Sequence, residues 1–297
     1  MKFRGHETFT IRKGWLNKGI KNVIAEPGVF VSKENNPMDI LGIGANMVKS
    51  LRYWLQATNL TTEPNSGKRY QTLTEIGELI YENDPYFEEI GSLWLVHYSL
   101  ATNLELATSW YVFFNEFEFS EFNEDDFYKK VRKFVMMIEP EKIPASRTVN
   151  DDFKCIINTY FSRARLNNVS INPEDNISCP LNELGLVDYV TTLNGLRVYR
   201  KTTPSVDNIP DLIALAIIVN FACGKKEIKI SSIQKDVNSL GKICVLDTIA
   251  LSNILNRLET FGYIKVVRTA GLDIIKIITD MNFSECVKKY YMQLNEK

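Results

Sequence analysis

The sequence has few of the patterns that mark metal centres, disulfide frameworks or membrane segments. Its five cysteines are an odd number and none lies in a CxxC pair, so neither a zinc site nor a disulfide framework is indicated. We predict that they are small buried apolar side chains. The longest apolar stretch, 212–224, is too short to cross a bilayer and contains Asn220. The first residues, MKFRGHETF, are polar and basic rather than a secretory signal, so we expect a cytoplasmic protein with no membrane partner.

The stretch LGIGANMVKSLRYWL, residues 41–55, lacks what a phosphate-binding loop requires. A dinucleotide fingerprint needs a buried strand before GxGxxG, but here PMDI precedes the glycines and Met47 replaces the third glycine. A P-loop needs GK followed by Ser or Thr, which is absent. The glycines therefore favour a tight corner between two helices, and we predict no cofactor.

The order of predicted elements around this corner is typical of a winged helix-turn-helix. Pro37 can begin a short helix that ends at Gly42, and a second helix runs from Ala45 to about Thr58. Two short extended runs then flank the turn sequence NSG at 65–67. A similar order recurs from 210, with helices at 210–224, 231–241 and 247–264 and a hairpin that turns near 270–271. No sequence identity links the two segments.

These patterns predict a mainly α fold with winged helix-turn-helix units at both ends and a helical middle. The expected divisions are an N-terminal winged-helix domain at 1–84, a helical domain at 85–205 and a C-terminal winged-helix domain at 206–297. The middle is densely aromatic, and its wide apolar coverage is typical of buried helices.

Charge is distributed unevenly although the net charge of the chain is only −1. Residues 1–70 contain 11 lysines and arginines against 5 acidic residues, whereas residues 71–126 contain 13 acidic residues and no basic one. The basic segment coincides with the first predicted winged unit, which favours an anionic partner such as double-stranded DNA. The acidic block is either an ordinary solvated surface or a surface for a protein partner.

The second helix of the first winged unit would enter the major groove of DNA. Cations suit backbone phosphates, and amides or guanidinium groups suit base edges. The predicted DNA-binding residues are therefore Asn46, Lys49, Arg52, Tyr53, Gln56, Lys68 and Arg69, of which Asn46 and Gln56 are the candidate base readers. In the second winged unit, a weaker DNA or partner surface would comprise Asn253, Arg257, Lys265 and Arg268.

Two residue sets leave an enzymatic interpretation open. His6 and Glu7 in RGHETF can serve in acid–base chemistry or bind a metal, but no HExxH motif accompanies them, and a histidine that anchors the N-terminus by a hydrogen bond is the simpler interpretation. The loose pattern of Asp211, Glu227 and Lys229 matches that of many nucleases, although Asp211 is also placed to cap a helix. We predict no metal site from either set.

Several blocks resemble a bacterial protein family of unknown function. They include GHETFTIRKGWLNKG at 5–19, LGIGANMVKSLRYWL at 41–55 and CPLNELGLV at 179–187. Members of that family are encoded beside proteins similar to phosphoadenosine-phosphosulfate reductase, in DNA phosphorothioation and phage-defence clusters. The resemblance implies a DNA-modification or restriction context. His6, Glu7, Asn46 and Arg52 match the family pattern, but the resemblance assigns no role to them.

The sequence thus predicts a non-catalytic DNA-binding component of a phosphorothioation-linked or phage-defence system, which positions partner proteins on DNA. Two alternatives stay open. One is a metal-dependent nuclease or accessory enzyme subunit, and the other is a scaffold whose winged units bind proteins.

Overall fold

The structure is a computed structural model that describes residues 1–161, 179–191, 195, 197–269 and 272–296. These residues are mainly helical, as predicted, with three small antiparallel sheets. They form two compact units, Met1–Lys201 and Thr202–Lys297. The predicted hairpin turn at 270–271 lies outside the described residues.

The first unit contains eight described helices and two short hairpins. Its helices are α1 Trp15–Ala25, α2 Pro37–Leu41, α3 Ala45–Ala57, α4 Glu75–Asn83, α5 Ile90–Thr102, α6 Thr108–Tyr111, α7 Glu124–Ile138 and α8 Ser146–Tyr160. Strands β1 Thr61–Thr62 and β2 Thr72–Leu73 pair antiparallel, as do β3 Val187–Thr191 and β4 Arg197–Lys201. A π-helical turn at Val112–Glu116 continues α6.

The corner between α2 and α3 follows from local chemistry. The Asn36 side chain caps α2 by accepting from the Met38 N–H, and Pro37 supplies a φ angle that suits the first helical turn. The helix stops at Gly42, which adopts a left-handed φ of 62° that a residue without a Cβ tolerates best. The chain re-enters a helix after Gly44. The predicted corner between two helices is therefore present.

The core of the first unit joins segments that are far apart in sequence. The indole rings of Trp54 in α3 and Trp110 in α6 meet edge to face at 5.4 Å, and both side chains are fully buried. Helix α5 is apolar on nearly every face and ten of its thirteen residues are buried. The predicted domain 1–84 therefore shares one core with most of the predicted domain 85–205.

The second unit has the order helix, strand, three helices, two strands, helix. Its elements are α9 Asp211–Ala222, β5 Glu227–Lys229, α10 Ile230–Lys235, α11 Leu240–Ile243, α12 Thr248–Thr260, β6 Ile264–Thr269, β7 Leu272–Ile277 and α13 Phe283–Asn295. The strands form one antiparallel sheet in the order β5-β7-β6.

Two sequence expectations for the second unit are corrected. The single helix predicted at 231–241 is two short helices, because Asp236 is extended and Asn238 has a left-handed φ of 62° between them. Asp211 does not cap α9: Pro210 holds the cap position, and Asp211 is the first residue of the helix.

None of the helices in the described part of the chain is long and apolar enough to span a membrane.

Four of the five cysteines are buried, and only Cys223, which follows α9 with a left-handed φ, is exposed. Burial raises the pKa of the Cys179 thiol to about 12 and that of the Cys286 thiol to about 11. Burial also raises the pKa values of Cys155 and Cys244 well above the ordinary value. Because the thiolate is the reactive form, these four thiols should react slowly at neutral pH.

We therefore expect one thiol to react rapidly with a colorimetric disulfide reagent at pH 8 in the native protein and all five to react in denaturant. The variant Cys223→Ser should lose the rapid phase. A second rapidly reacting thiol in the native protein would contradict this packing.

Candidate functional site

The GHETF segment is fixed to the core by a buried hydrogen bond. The His6 side chain is fully buried, and its Nε2 lies 2.7 Å from Oδ1 of Asp152 in α8. Asp152 is itself buried and also accepts from the Arg4 backbone N–H at 2.8 Å and from the Ser109 hydroxyl. In each of these three hydrogen bonds the Asp152 carboxylate is the acceptor, and a buried carboxylate needs such donors around it.

The contacts of His6 define its tautomer. Nδ1 accepts from the Thr8 backbone N–H at 3.0 Å, so the proton of a neutral ring lies on Nε2 and is donated to Asp152. The ring also stacks on Trp54, with centroids 5.9 Å apart. His6 therefore anchors the N-terminal segment, and its burial gives it no access to a substrate. Glu7 is half-buried in a turn with a left-handed φ of 49°.

The GHETF segment packs against RYWL, residues 52–55 at the end of the 41–55 block. The indole N–H of Trp54 donates to the Phe9 carbonyl at 3.0 Å. A Cβ on Gly5 would lie 2.5 Å from the Tyr53 ring, so only glycine allows this approach without a shift. The two motifs of the family resemblance thus meet in space, which their separation of about 40 residues does not reveal.

Helix α3 exposes only part of its predicted DNA-binding face. Asn46 and Lys49 are exposed on its first two turns. The prediction for Tyr53 is wrong, because the residue is buried, with 5% of its surface exposed. Burial, together with the nearby Asp152 carboxylate, raises the pKa of its hydroxyl well above the ordinary value. Its ring faces the core because it packs against Gly5, so it is withdrawn from the predicted surface.

The loop after β1 supplies a carboxylate that the sequence analysis missed. The side chain of Glu63 is only 2% exposed, and it binds Arg52 through two hydrogen bonds, Nε to Oε2 at 2.9 Å and Nη2 to Oε1 at 2.8 Å. Nε of Arg69 lies 2.7 Å from the same Oε1. Two arginines predicted to bind phosphate therefore share one acidic partner, and this pairing fixes their positions.

Gln56 is also engaged at this carboxylate. Its amide nitrogen donates to the Arg52 carbonyl at 3.1 Å and lies 3.4 Å from Oε2 of Glu63. The side chain is half-buried. Asn46 rather than Gln56 is therefore the base-reading candidate that stands exposed on α3.

Lys2 is a further cation near Arg52 and Arg69, and it was not among the predicted DNA-binding residues. Its Nζ lies 5.1 Å from the centroid of the Tyr53 ring. Burial lowers the pKa of its amine; the Glu63 carboxylate opposes that shift, and the guanidinium groups of Arg52 and Arg69 add to it. The sequence contains one weak indication that Lys2 matters, because it lies just before the GHETF motif that resembles the family pattern. Lys68 is exposed beside Arg69, with its amine 5.7 Å from the Tyr70 ring centroid.

Arg257 of the second unit is a structural clamp rather than a surface cation. Its guanidinium group donates to the carbonyls of Val206 and Ile209 at 3.2 and 2.9 Å, and its Nε lies 2.7 Å from Oδ1 of Asp211. This correction leaves Asn253 on α12 with Lys265 and Arg268 on β6 as exposed residues of the second predicted surface.

The loose nuclease pattern is divided between unrelated contacts. Asp211 pairs with Arg257, and Glu227 on β5 pairs with Lys276 on β7 at 2.7 Å. Within the described residues, no group of three or more His, Cys, Asp or Glu side chains is arranged to hold a metal ion. No residue is therefore assigned to a metal.

Part of the acidic block forms an exposed stripe on α4. Glu75, Glu78 and Glu82 follow each other at helical spacing on its outer face and are exposed. Asp84, by contrast, is buried and accepts from the backbone N–H groups of Glu88 and Glu89. The stripe is one exposed part of the predicted partner surface.

Together, the fold and site define a mainly helical protein whose N-terminal segment is anchored in the core beside an exposed basic surface. The chain belongs to a family described as "Protein of unknown function (DUF4007)", whose model matches residues 3–291. This agrees with the expectation of a family of unknown function. A comparison with curated proteins found no match.

Two solved structures are similar to this chain. One is described as a magnesium ion-bound SspB crystal structure, with a TM-score of 0.85, 26% sequence identity and coverage of 100% of this chain and 89% of that chain. The other, an SspB crystal structure, has a TM-score of 0.80 and 26% identity and covers 99% of this chain and 95% of that chain.

The anchor predicts a large difference between two adjacent aspartates. Asp152→Ala would leave the donors of His6, Ser109 and Arg4 without their acceptor and should destabilise the first unit by about 3 kcal/mol. Asp151→Ala removes only a partly exposed ion pair with Arg4 and should cost about 0.5 kcal/mol.

Urea unfolding followed by tryptophan fluorescence measures this difference, because all four tryptophans lie in the first unit. Equal destabilisation by the two substitutions would contradict the role of Asp152 as the anchor.

Proposed function

We propose that this protein is a DNA-binding component of a phosphorothioation-linked or phage-defence system, and that its first unit binds double-stranded DNA through α3 and the loop between β1 and β2. The observation that carries the proposal is the exposure of Asn46 and Lys49 at the start of α3, together with the exposed cations Lys68 and Arg69 of the loop that Glu63 links to Arg52 of the same helix. An exposed amide and several cations supply the two kinds of contact that DNA recognition requires.

The order of elements supports a winged helix-turn-helix interpretation of this surface. Helices α1, α2 and α3 precede the β1-β2 hairpin, and the Gly42 corner separates α2 from α3. In such motifs the N-terminal residues of the second helix contact base edges. Asn46 and Lys49 lie at that end of α3, whereas the other end is occupied by the Glu63 contacts.

The second unit has the corresponding order with a three-stranded sheet, in which α12 precedes the β6-β7 hairpin. We propose it as a second winged unit that binds DNA or protein through Asn253, Lys265 and Arg268.

Two further observations support the biological setting. The motifs resemble a family from phosphorothioation and phage-defence clusters, and both similar structures carry the same name, SspB. A component of such a system would act with other proteins in the cytoplasm. The acidic stripe of Glu75, Glu78 and Glu82 is our candidate surface for a protein partner, since a surface of this charge would not lie against DNA.

The double variant Lys49→Ala with Lys68→Ala tests the DNA surface. If each amine neutralises one phosphate, the double variant should bind a mixed-sequence duplex more weakly. The slope of log affinity against log salt concentration should fall by about 1.8, because each phosphate contact contributes about 0.9.

The charge-matched control is Lys129→Ala with Lys133→Ala, which alters two exposed lysines on α7. Affinity and slope that change equally in both double variants would contradict the assignment to α3 and its neighbouring loop.

A magnesium-dependent nuclease is the second candidate function, favoured by the description of one similar structure as magnesium ion-bound. A divalent ion can activate water and stabilise the leaving oxygen in phosphodiester cleavage. Incubation of the protein with supercoiled plasmid and Mg²⁺ tests this candidate. Relaxed or linear product that EDTA prevents would favour the nuclease, whereas intact plasmid under conditions of full binding would favour a binding component.

A further inference from the structure

Three cations converge on one buried carboxylate at the edge of α3. Arg52 and Arg69 both contact Glu63, whose side chain is 2% exposed, and the Lys2 amine lies over the ring of Tyr53, the residue that follows Arg52 in α3. Glu7 also acts on the Lys2 amine, so the two carboxylates Glu63 and Glu7 accompany three positive charges and leave one in excess. Cations held this close repel one another, and an anion bound among them would relieve that repulsion.

The position of Lys2 is fixed by the anchor and not by its own side chain. Its backbone N–H donates to the Thr108 hydroxyl at 3.0 Å, and the Arg4 N–H donates to Asp152 two residues later. The stem of Lys2 then places its amine 5.1 Å from the Tyr53 ring centroid. The residue is exposed overall, so its amine can meet a ligand from solvent.

The two arginines remain able to bind a further oxygen. Arg69 contacts Glu63 through Nε, and 59% of its side chain is exposed. A guanidinium group has five N–H donors, and its contact with Glu63 leaves part of this fork available. Arg52 uses Nε and Nη2 for the carboxylate and is more enclosed.

We infer that Lys2, Arg52 and Arg69 form a single phosphate site that takes one backbone phosphodiester of DNA, with Glu63 as the positioning residue that holds the two guanidinium groups. The inference rests on the proposed function and assigns to Lys2 and Glu63 roles that the DNA-binding surface of α3 did not include. Phosphate is the anion that suits the site, because it presents several oxygens to planar guanidinium groups and a lysine amine at once.

The first test is Lys2→Met, which keeps an apolar stem over Tyr53 and removes the charge. We expect binding to a mixed-sequence duplex to weaken roughly tenfold, to the same extent for unrelated sequences, and the salt slope to fall by about 1. Lys133→Met on α7 is the control and should change affinity less than twofold. Unaltered affinity and slope in Lys2→Met would overturn the inference.

The second test asks whether Glu63→Gln strengthens or weakens DNA binding. Glu63→Gln raises the net charge of the protein by one, so long-range attraction alone would strengthen DNA binding. If Glu63 positions the guanidinium groups, binding should instead weaken, roughly threefold or more, since their ordering is then lost. Tighter binding by Glu63→Gln would overturn the positioning role, and urea unfolding followed by tryptophan fluorescence checks that the variant is folded.

A third measurement uses the unaltered protein. Acetylation of lysines by an amine-reactive ester, read by mass spectrometry, should slow at Lys2 when duplex is present and stay unchanged at Lys133. Protection of Lys49 and Lys68 without protection of Lys2 would overturn the inference while it supports the proposed function. Absence of duplex binding by the unaltered protein would instead overturn the proposed function itself.

Discussion

The hydrogen bond between His6 and Asp152 is the contact on which the first unit depends. It is fully buried and joins residues 146 positions apart. Because Asp152 also accepts from Ser109 and from the Arg4 backbone, one carboxylate ties together the N-terminus, α6 and α8. The GHETF segment would otherwise be an exposed, poorly ordered chain end. Its anchoring places Gly5 against Tyr53 and Lys2 beside the two arginines.

This arrangement explains how a structural motif can support the proposed DNA-binding surface without forming part of it. His6 is buried and hydrogen-bonded to Asp152, and by anchoring the N-terminal segment it determines where Lys2 lies. The His6 ring also stacks on Trp54, and the Phe9 carbonyl accepts from the Trp54 indole N–H, so the anchored segment helps to fix the rotation of α3 about its axis. That rotation exposes Asn46 and Lys49 and buries Tyr53. The position of Lys2 and the rotation of α3 therefore both depend on the anchoring of the N-terminal segment.

Local patterns predicted the elements of the fold better than their contacts. Helix α3 was expected at Ala45 to about Thr58 and occurs at Ala45–Ala57, because glycine corners and a helical stripe are local signals. Tyr53 was misplaced because periodicity gives the faces of a helix but not which face a distant glycine will cover. Glu63 and Lys2 were missed for a related reason: pairing across the hairpin loop and across the anchor joins residues that have no shared sequence pattern.

The second unit shows the same limit. Arg257 stands among polar residues on α12 and suggests a surface cation, but the guanidinium group turns towards Asp211 and two carbonyl groups at the start of α9. The buried residues Leu251, Ile254 and Leu255 of α12 do follow the helical period, which is a local signal. These backbone carbonyls receive their hydrogen bonds from a side chain about 50 residues away in the sequence. Such a tertiary contact leaves no local periodicity in the sequence.

Amide hydrogen exchange with and without duplex would show whether DNA binds at the proposed surface of the first unit. With duplex present, exchange should slow in residues 45–50 at the start of α3 and 63–70 in the adjoining loop and stay unchanged in α7. Protection confined to α12 and the β6-β7 hairpin, or protection of α7 in place of α3, would contradict this proposal.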